Sequence, residues 1–308
     1  MDEACGAAMN GQQLRLDLDS PLRGAVQNDR TMMLWSLFAL SKEVVTHLPI
    51  YDDGCVRIEV TGGSKGVATM FDKDLLIYIC SIIREKVERG ENPEAQVTFT
   101  VHDFLQIAGS GCGGRDYNRL LSSLDRLQST QIKTNIETGG EGEDSAFSWI
   151  LSYKVQYTRR RDGEKAMRAL TVKICDWLYR AIVRDGRMLT YAPEYFELPP
   201  LERRLFEIAR AHCADGEPTR ISLDLLRMRV GSQSPLKLFR HKLATRSNVI
   251  PDYSFTLFQP QTAAGGRASR SLKDVVVVIH PAHIKDLPPL SEIREVSPGN
   301  DVEWEGAA

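Results

Sequence analysis

The chain has 308 residues, of which 42% are hydrophobic and 26% charged, and a formal net charge of −2. That length can bury two cores, and the composition is that of an ordinary folded protein rather than a low-complexity or disulfide-stapled one. No apolar run reaches about 18 residues and no basic start precedes an apolar core, which argues against a membrane span or a signal peptide. Six cysteines stand singly, at Cys5, Cys55, Cys80, Cys112, Cys175 and Cys213, with no C-x-x-C pair and no histidine spacing that would complete a metal site. They read as thiols of a reducing cytoplasm, and neither metal nor cofactor is expected. Near-neutral charge does not exclude nucleic acid, because a local basic face is enough to bind it.

Residues 1–27 are small and polar without periodicity and read as a tail. Residues 31–40 (TMMLWSLFAL) are apolar, but too short for periodicity to separate a helix from a buried extended run. Two β-rich runs, 44–50 and 55–61, flank Asp53-Gly54, a hairpin signal. The next stretch, Gly62-Gly63-Ser64-Lys65-Gly66, has the flavour of a phosphate loop but does not fit G-x-x-x-x-G-K-[ST], so it reads as a turn. Asp72 can cap a helix in which Leu75, Leu76, Ile79, Ile82, Ile83 and Val87 recur at three- and four-residue spacing. Gly90, Asn92 and Pro93 end it.

Residues 98–133 carry the most informative pattern. Thr100 can cap a short helix, with Asp103 as a weaker relative of the capping-box glutamate and Val101, Phe104, Leu105 and Ala108 inward. The turn at 109–114 (GSGCGG) matches G-x-G-x-x-G, but that fingerprint needs a buried strand in front, and here a helix precedes it. The glycines therefore read as the connection of a helix-turn-helix. In the helix that follows, Tyr117, Leu120, Leu121, Leu124 and Leu127 form one stripe. Arg115, Arg119, Ser122 and Arg126 face away, flanked by Asn118 and Ser123. These are side chains that bond phosphates and base edges. Strands are expected at 130–137, 147–157 and 169–174. Between the last two lie Arg159, Arg160 and Arg161, in a segment from 153 to 173 with seven cations and two acids. A basic hairpin tip behind such a helix suits the phosphate backbone. The acidic loop at 139–144 belongs elsewhere.

After a helix at 177–185 and a proline-punctuated linker at 191–200, the plan returns. A helix at 201–212 turns Leu205, Ile208 and Ala209 inward, Pro218 breaks the chain, residues 222–229 form a short helix, and Gly231-Ser232-Gln233 makes the turn. Ser234-Pro235 offers an N-cap with proline at the first helical position. The helix at 236–246 faces Leu236, Phe239 and Leu243 inward and Lys237, His241 and Thr245 outward, with Lys242 and Arg246 on a flank. From 227 to 246 there are six Lys or Arg and no acid. A strand pair at 253–258 and 275–279 has Arg267 and Arg270 in its connecting loop, a second wing. The expected fold is α+β: two tandem winged-helix domains with short antiparallel β wings, at 28–190 and 199–287, between tails at 1–27 and 288–308.

Three stretches, 34–42 (LWSLFALSK), 66–77 (GVATMFDKDLLI) and above all 113–134 (GGRDYNRLLSSLDRLQSTQIKT), resemble the plasmid replication initiator protein A family. The likeness is clear over residues 34–180 and looser to about residue 285. It implies a bacterial cytoplasmic protein that binds double-stranded origin DNA at repeated sites, opens nearby duplex, and engages the host initiator and replicative helicase. It also implies a homodimer that represses while monomers initiate. Expected DNA contacts are Arg115, Asn118, Arg119, Ser122, Arg126, Arg159, Arg160, Arg161, Ser234, Lys237, His241, Lys242, Thr245 and Arg246.

A winged-helix transcriptional repressor would share nearly every one of these features. A rolling-circle nickase is suggested by Tyr191 and Tyr195, four apart, but its metal needs a His-hydrophobic-His pair and His280-Pro281-Ala282-His283 has the wrong spacing. No Ser-His-Asp, Cys-His or paired-carboxylate arrangement stands out. The expectation is a protein with no catalytic residues.

Overall fold

The computed structural model describes residues 18–41, 43–109, 114–142, 146–159, 165–259 and 271–298. The chain enters through β1 (Gln27–Asp29) and a one-turn helix α1 (Arg30–Leu34), started by Asp29, whose Oδ1 accepts from the N–H groups of Thr31 at 2.9 Å and Met32 at 3.3 Å. All of α1 is buried, and Trp35, Leu37, Phe38 and Ala39 stay buried after it. The apolar run at 31–40 is therefore part helix and part core-filling extended chain. A hairpin does form at Asp53-Gly54, from β2 (Tyr51–Asp52) and β3 (Arg57–Thr61), but the strand expected at 44–50 is irregular chain with a single bridge, His47 to Thr61.

α2 (Lys73–Glu88) lies where the periodicity puts it, but from Lys73 to Ile83 every residue is buried, not one stripe. The reason is position: β1, α3, β4 and residues 181–185 pack around it. Asp72 stands at its N-cap without capping it, because the carboxylate is turned toward Thr69 and the helix-turn-helix. β4 (Gln96–Phe99) comes next, then α3 (Val101–Ile107), capped by Thr100 Oγ1 accepting from Asp103 N–H at 3.1 Å. α4 (Gly114–Ser129) follows, then β5 (Gln131–Thr134) and β6 (Ala146–Ser148), which extend the first hairpin into a sheet of order β2-β3-β5-β6. The wing is β7 (Ile150–Arg159) and β8 (Lys165–Ile174), with β4 antiparallel on the other side of β8.

α5 (Asp176–Arg180) runs into a π turn, Ala181–Asp185, and β9 (Met188–Thr190) returns to pair with β1. The second unit is α6 (Pro200–His212), β10 (Thr219–Ser222), α7 (Leu223–Val230), α8 (Leu236–Arg246), β11 (Tyr253–Phe258) and β12 (Val276–Pro281). Ser222 Oγ caps α7 by accepting from Leu225 N–H at 3.2 Å, and Gly231 ends it with a φ of 78°, a left-handed conformation that suits glycine. β10 pairs antiparallel with β12 as β4 does with β8. The fold is two winged helices in tandem, and the repeat includes a first strand in each unit that the sequence does not announce.

Three segments differ from expectation. The tail foreseen over 1–27 is a packed strap from residue 19: Asp19 accepts from Thr98 N–H at 2.5 Å and Ser20 Oγ from Thr100 N–H at 3.1 Å. The tail foreseen over 288–308 carries β13 (Arg294–Glu295), parallel to β10, with Ile293 and Val296 buried behind it. The linker foreseen over 191–200 is core: Tyr191, Tyr195 and Leu198 are buried, and the two tyrosine rings lie 4.4 Å apart beside Phe206. One contiguous apolar core thus runs through both units. No helix among the described residues is long and apolar enough to cross a membrane.

Candidate nucleic-acid interface

In α4, Leu120, Leu124 and Leu127 are buried and Arg115, Asn118 and Arg119 are exposed, so the apolar stripe sets which side of the helix faces water. Arg119 has its side chain 81% exposed and one ion-pair contact, Asp116 at 3.5 Å. Two guanidinium forks and an amide one to four residues apart form a surface that can bond base edges and phosphates. Ser122 is half-buried beside them.

Arg126 does not belong to that surface. Its Nε and Nη2 donate to Asp72 Oδ2 and Oδ1 at 2.7 and 2.6 Å, and Ser123 Oγ donates to the same Oδ1 at 2.6 Å. A buried carboxylate held bidentately fixes the last turns of α4 against the start of α2, where the helix dipole also favours a negative charge. Asp125 holds the other side, accepting from Tyr153 Oη of the wing at 2.7 Å and pairing with Lys65. These bonds keep the Asp125 carboxyl below its ordinary range, the Lys65 hydrogen bond foremost. The turn that resembled a phosphate loop is therefore a strut: a Cβ on Gly63 would come within 2.8 Å of Ser129 Cβ at the end of α4.

On the first wing, Arg159 ends β7 and is exposed, as are Lys154 and Arg168 along the hairpin. Arg160 and Arg161 lie outside the described residues, as do residues 110–113 of the glycine turn and Arg267 and Arg270 of the second wing.

In α8, Phe239 and Leu243 are buried and Leu236 is half-buried, while Lys237, His241 and Thr245 are exposed. Leu238, absent from the expected contacts, is 45% exposed on the same face. Four expected readers have local duties. Pro235 takes the N-cap position, so Ser234 caps nothing and its Oγ accepts from Lys242 Nζ at 3.0 Å. Thr245 Oγ1 donates back to His241 O at 2.9 Å. Arg246 pairs with Glu202 of α6 at 3.3 Å, so it anchors the helix as Arg126 does in the first unit.

The largest polar feature is a buried seam of charges between the units. Lys73 Nζ donates to Glu207 Oε1 at 2.6 Å and to Met32 O at 2.8 Å. Tyr191 and Tyr195 donate to the same Oε1 at 3.0 and 2.8 Å, and Arg204 Nη1 donates to Oε2 at 2.6 Å. Beside them Arg203 Nη1 donates to Asp74 Oδ1 at 2.7 Å, and Arg229 Nε to Tyr51 Oη at 2.7 Å with its guanidinium 4.0 Å over the Trp35 ring. Burial pulls the Lys73 amine down to about 8. Burial would push the Glu207 carboxyl up, but the charges of Lys73 and Arg204 hold it below its ordinary value. The signal in the sequence is a charged residue at an apolar position of the helical period, at Lys73 in α2 and at Arg204 in α6.

The profile of a family described as replication initiator protein A matches residues 27–255. A candidate replication protein of Wigglesworthia glossinidia brevipalpis is 32% identical over 233 residues, covering 74% of this chain and 83% of that protein. Two crystal structures of domains 2 and 3 of RctB share the fold, with TM-scores of 0.53 and 0.51 at 14% and 12% identity. They cover 80% and 82% of this chain, and 95% and 96% of theirs is matched. The family match spans β1 to β11, through α4, the charged seam and α8. The same residues that build two winged helices around one core therefore place this chain in the replication initiator protein A family.

Proposed function

We propose that the protein binds double-stranded origin DNA of a bacterial plasmid at repeated sites, with α4 and α8 in major grooves and the two hairpins on the phosphates. The observation that carries this is the repeat itself: helix, strand, helix, helix and hairpin occur twice, and each time the last helix is exposed along a polar, cationic face. Arg115 and Arg119 can fork onto guanine, Asn118 can pair with adenine, and Lys237 and His241 can donate to acceptors in the second groove. Binding then promotes opening of nearby duplex and recruitment of the host initiator and replicative helicase, and a homodimer on the same sites represses. The role is non-enzymatic. Supporting this, Tyr191 and Tyr195 are buried and donate to Glu207, where neither phenol can reach a phosphate.

The test is footprinting on the replicon's origin combined with helicase loading. Paired substitutions Arg115→Ala with Arg119→Ala, and Lys237→Ala with His241→Ala, should each cost roughly 1–3 kcal/mol per base-reading contact and relax preference at separate positions. Supercoiled origin DNA should stay uncut with Mg²⁺ or Mn²⁺. Protection without helicase loading would favour the repressor role, and neutralised helices with unchanged affinity would remove this face from DNA.

A further inference from the structure

Asp72-Lys73-Asp74 places three charges in a row at the start of α2, just before the uncharged, buried stretch 75–83, with relative exposures of only 2%, 0% and 6%. Each side chain has a different partner. Asp72 holds α4 through Ser123 and both forks of Arg126. Lys73 and Asp74 hold α6 through Glu207 at 2.6 Å and Arg203 at 2.7 Å. Neighbouring residues of one helical turn therefore grip the DNA-facing helix of the first unit and the first helix of the second. From α6 the contacts continue to the second reader: Arg204 Nη2 donates to Arg229 O near the end of α7 at 2.9 Å, and Glu202 pairs with Arg246 of α8 at 3.3 Å.

This route from α4 to α8 consists of rigid helix and directional bonds. Bidentate and charge-assisted bonds tolerate little change of angle. A buried ion pair contributes little stability over apolar residues of the same volume, so stability alone does not account for three of them in a row. We propose that Asp72, Lys73 and Asp74 are positioning residues that fix the angle and separation of α4 and α8, and so set the half-site spacing that the protein accepts on DNA. The proposal rests on both helices reading DNA, and none of the three residues itself touches DNA.

The experiment uses the full-length protein and the duplex it selects from a random-sequence pool. The two protected half-sites are moved apart in single base-pair steps to half a helical turn, about five base pairs. Wild type should lose at least about tenfold in affinity at half a turn, the scale of losing a base contact. Asp72→Asn and Asp74→Asn keep shape without charge, and should flatten the loss to within about threefold while both half-sites stay protected. If either fails to fold by thermal melting, Arg126→Lys, which keeps the charge but not the fork, supplies the same readout. Wild-type affinity that ignores spacing, with both half-sites protected, overturns the proposal and leaves the two-helix function standing. Folded variants with the steep wild-type dependence also overturn it. Protection of a single half-site by wild type removes the two-helix function, and the coupling with it.

Discussion

The two winged helices solve one problem at different strengths. Each ties its last helix, α4 or α8, by an arginine near the helix C-terminus to an acid at the start of α2 or α6. In the first unit the pair is Arg126 with Asp72, bidentate at 2.6 and 2.7 Å with the arginine side chain 24% exposed. In the second it is Arg246 with Glu202, one contact at 3.3 Å with the arginine 53% exposed. α4 is further braced by Asp125 against Tyr153 and Lys65 and buries Leu120, Leu124 and Leu127, whereas α8 buries Phe239 and Leu243. α4 is thus held by two polar braces and three buried leucines, and α8 by one longer ion pair and two buried apolar side chains.

The largest expected effect tests whether the units are separable at all. Glu207→Gln keeps the side chain's shape but leaves Lys73 and Arg204 buried without their counter-charge. The expected cost is about 3–5 kcal/mol, read as a lower denaturant midpoint. Because α1, α2 and α6 meet at this carboxylate, both units should unfold in one transition. Two resolved transitions would mean that the seam does not join them.

A pH measurement comes next and probes what the first unit has and the second lacks, the clasp of β1 on β9. Burial raises the Asp29 carboxyl from 3.8 to about 6, and its Oδ2 is buried with no hydrogen-bond partner among the described residues. A raised carboxyl means that the folded state keeps a proton the unfolded chain has released. Its contribution is therefore fully present below pH 3.8 and lost as pH rises through about 6. The shift corresponds to roughly 3 kcal/mol. Asp29→Asn retains a capping oxygen and should lose that slope relative to wild type. An identical slope in the variant would assign the titration to another group.

Much of this was readable from residues alone, because apolar periodicity and capping chemistry are local. The stripe Leu120, Leu124, Leu127, the caps Thr100 and Ser222 and the left-handed Gly231 all act within a few residues of themselves. β4 and β10 were not readable: QVTF and TRIS are four residues each and become strands because β8 and β12 offer them an edge. The carboxylate partners of Arg126 and Arg246 are hidden for a related reason. A helical projection gives the direction of a side chain but not what stands opposite it, and Asp72 lies 54 residues before Arg126. The seam at Glu207 is the extreme case, since Lys73 reaches it across 134 residues.

The two anchoring arginines should therefore differ from each other and from their neighbours. Arg126→Ala leaves Asp72 buried with Ser123 and Thr69 as its remaining partners, and should cost about 2–3 kcal/mol of stability. Arg246→Ala removes a longer contact made by a half-exposed arginine to the buried Glu202, and should cost less, about 1 kcal/mol. Neither should alter base preference within a half-site, whereas Arg119→Ala and His241→Ala should, at roughly 1–3 kcal/mol each. Denaturant unfolding and sequence selection on the same four variants separate the two roles. If Arg246→Ala relaxed base preference as strongly as His241→Ala, Arg246 would belong to the reading surface. The second unit would then hold α8 by Phe239 and Leu243 alone, and the likeness between the two anchors would be one of position rather than of purpose.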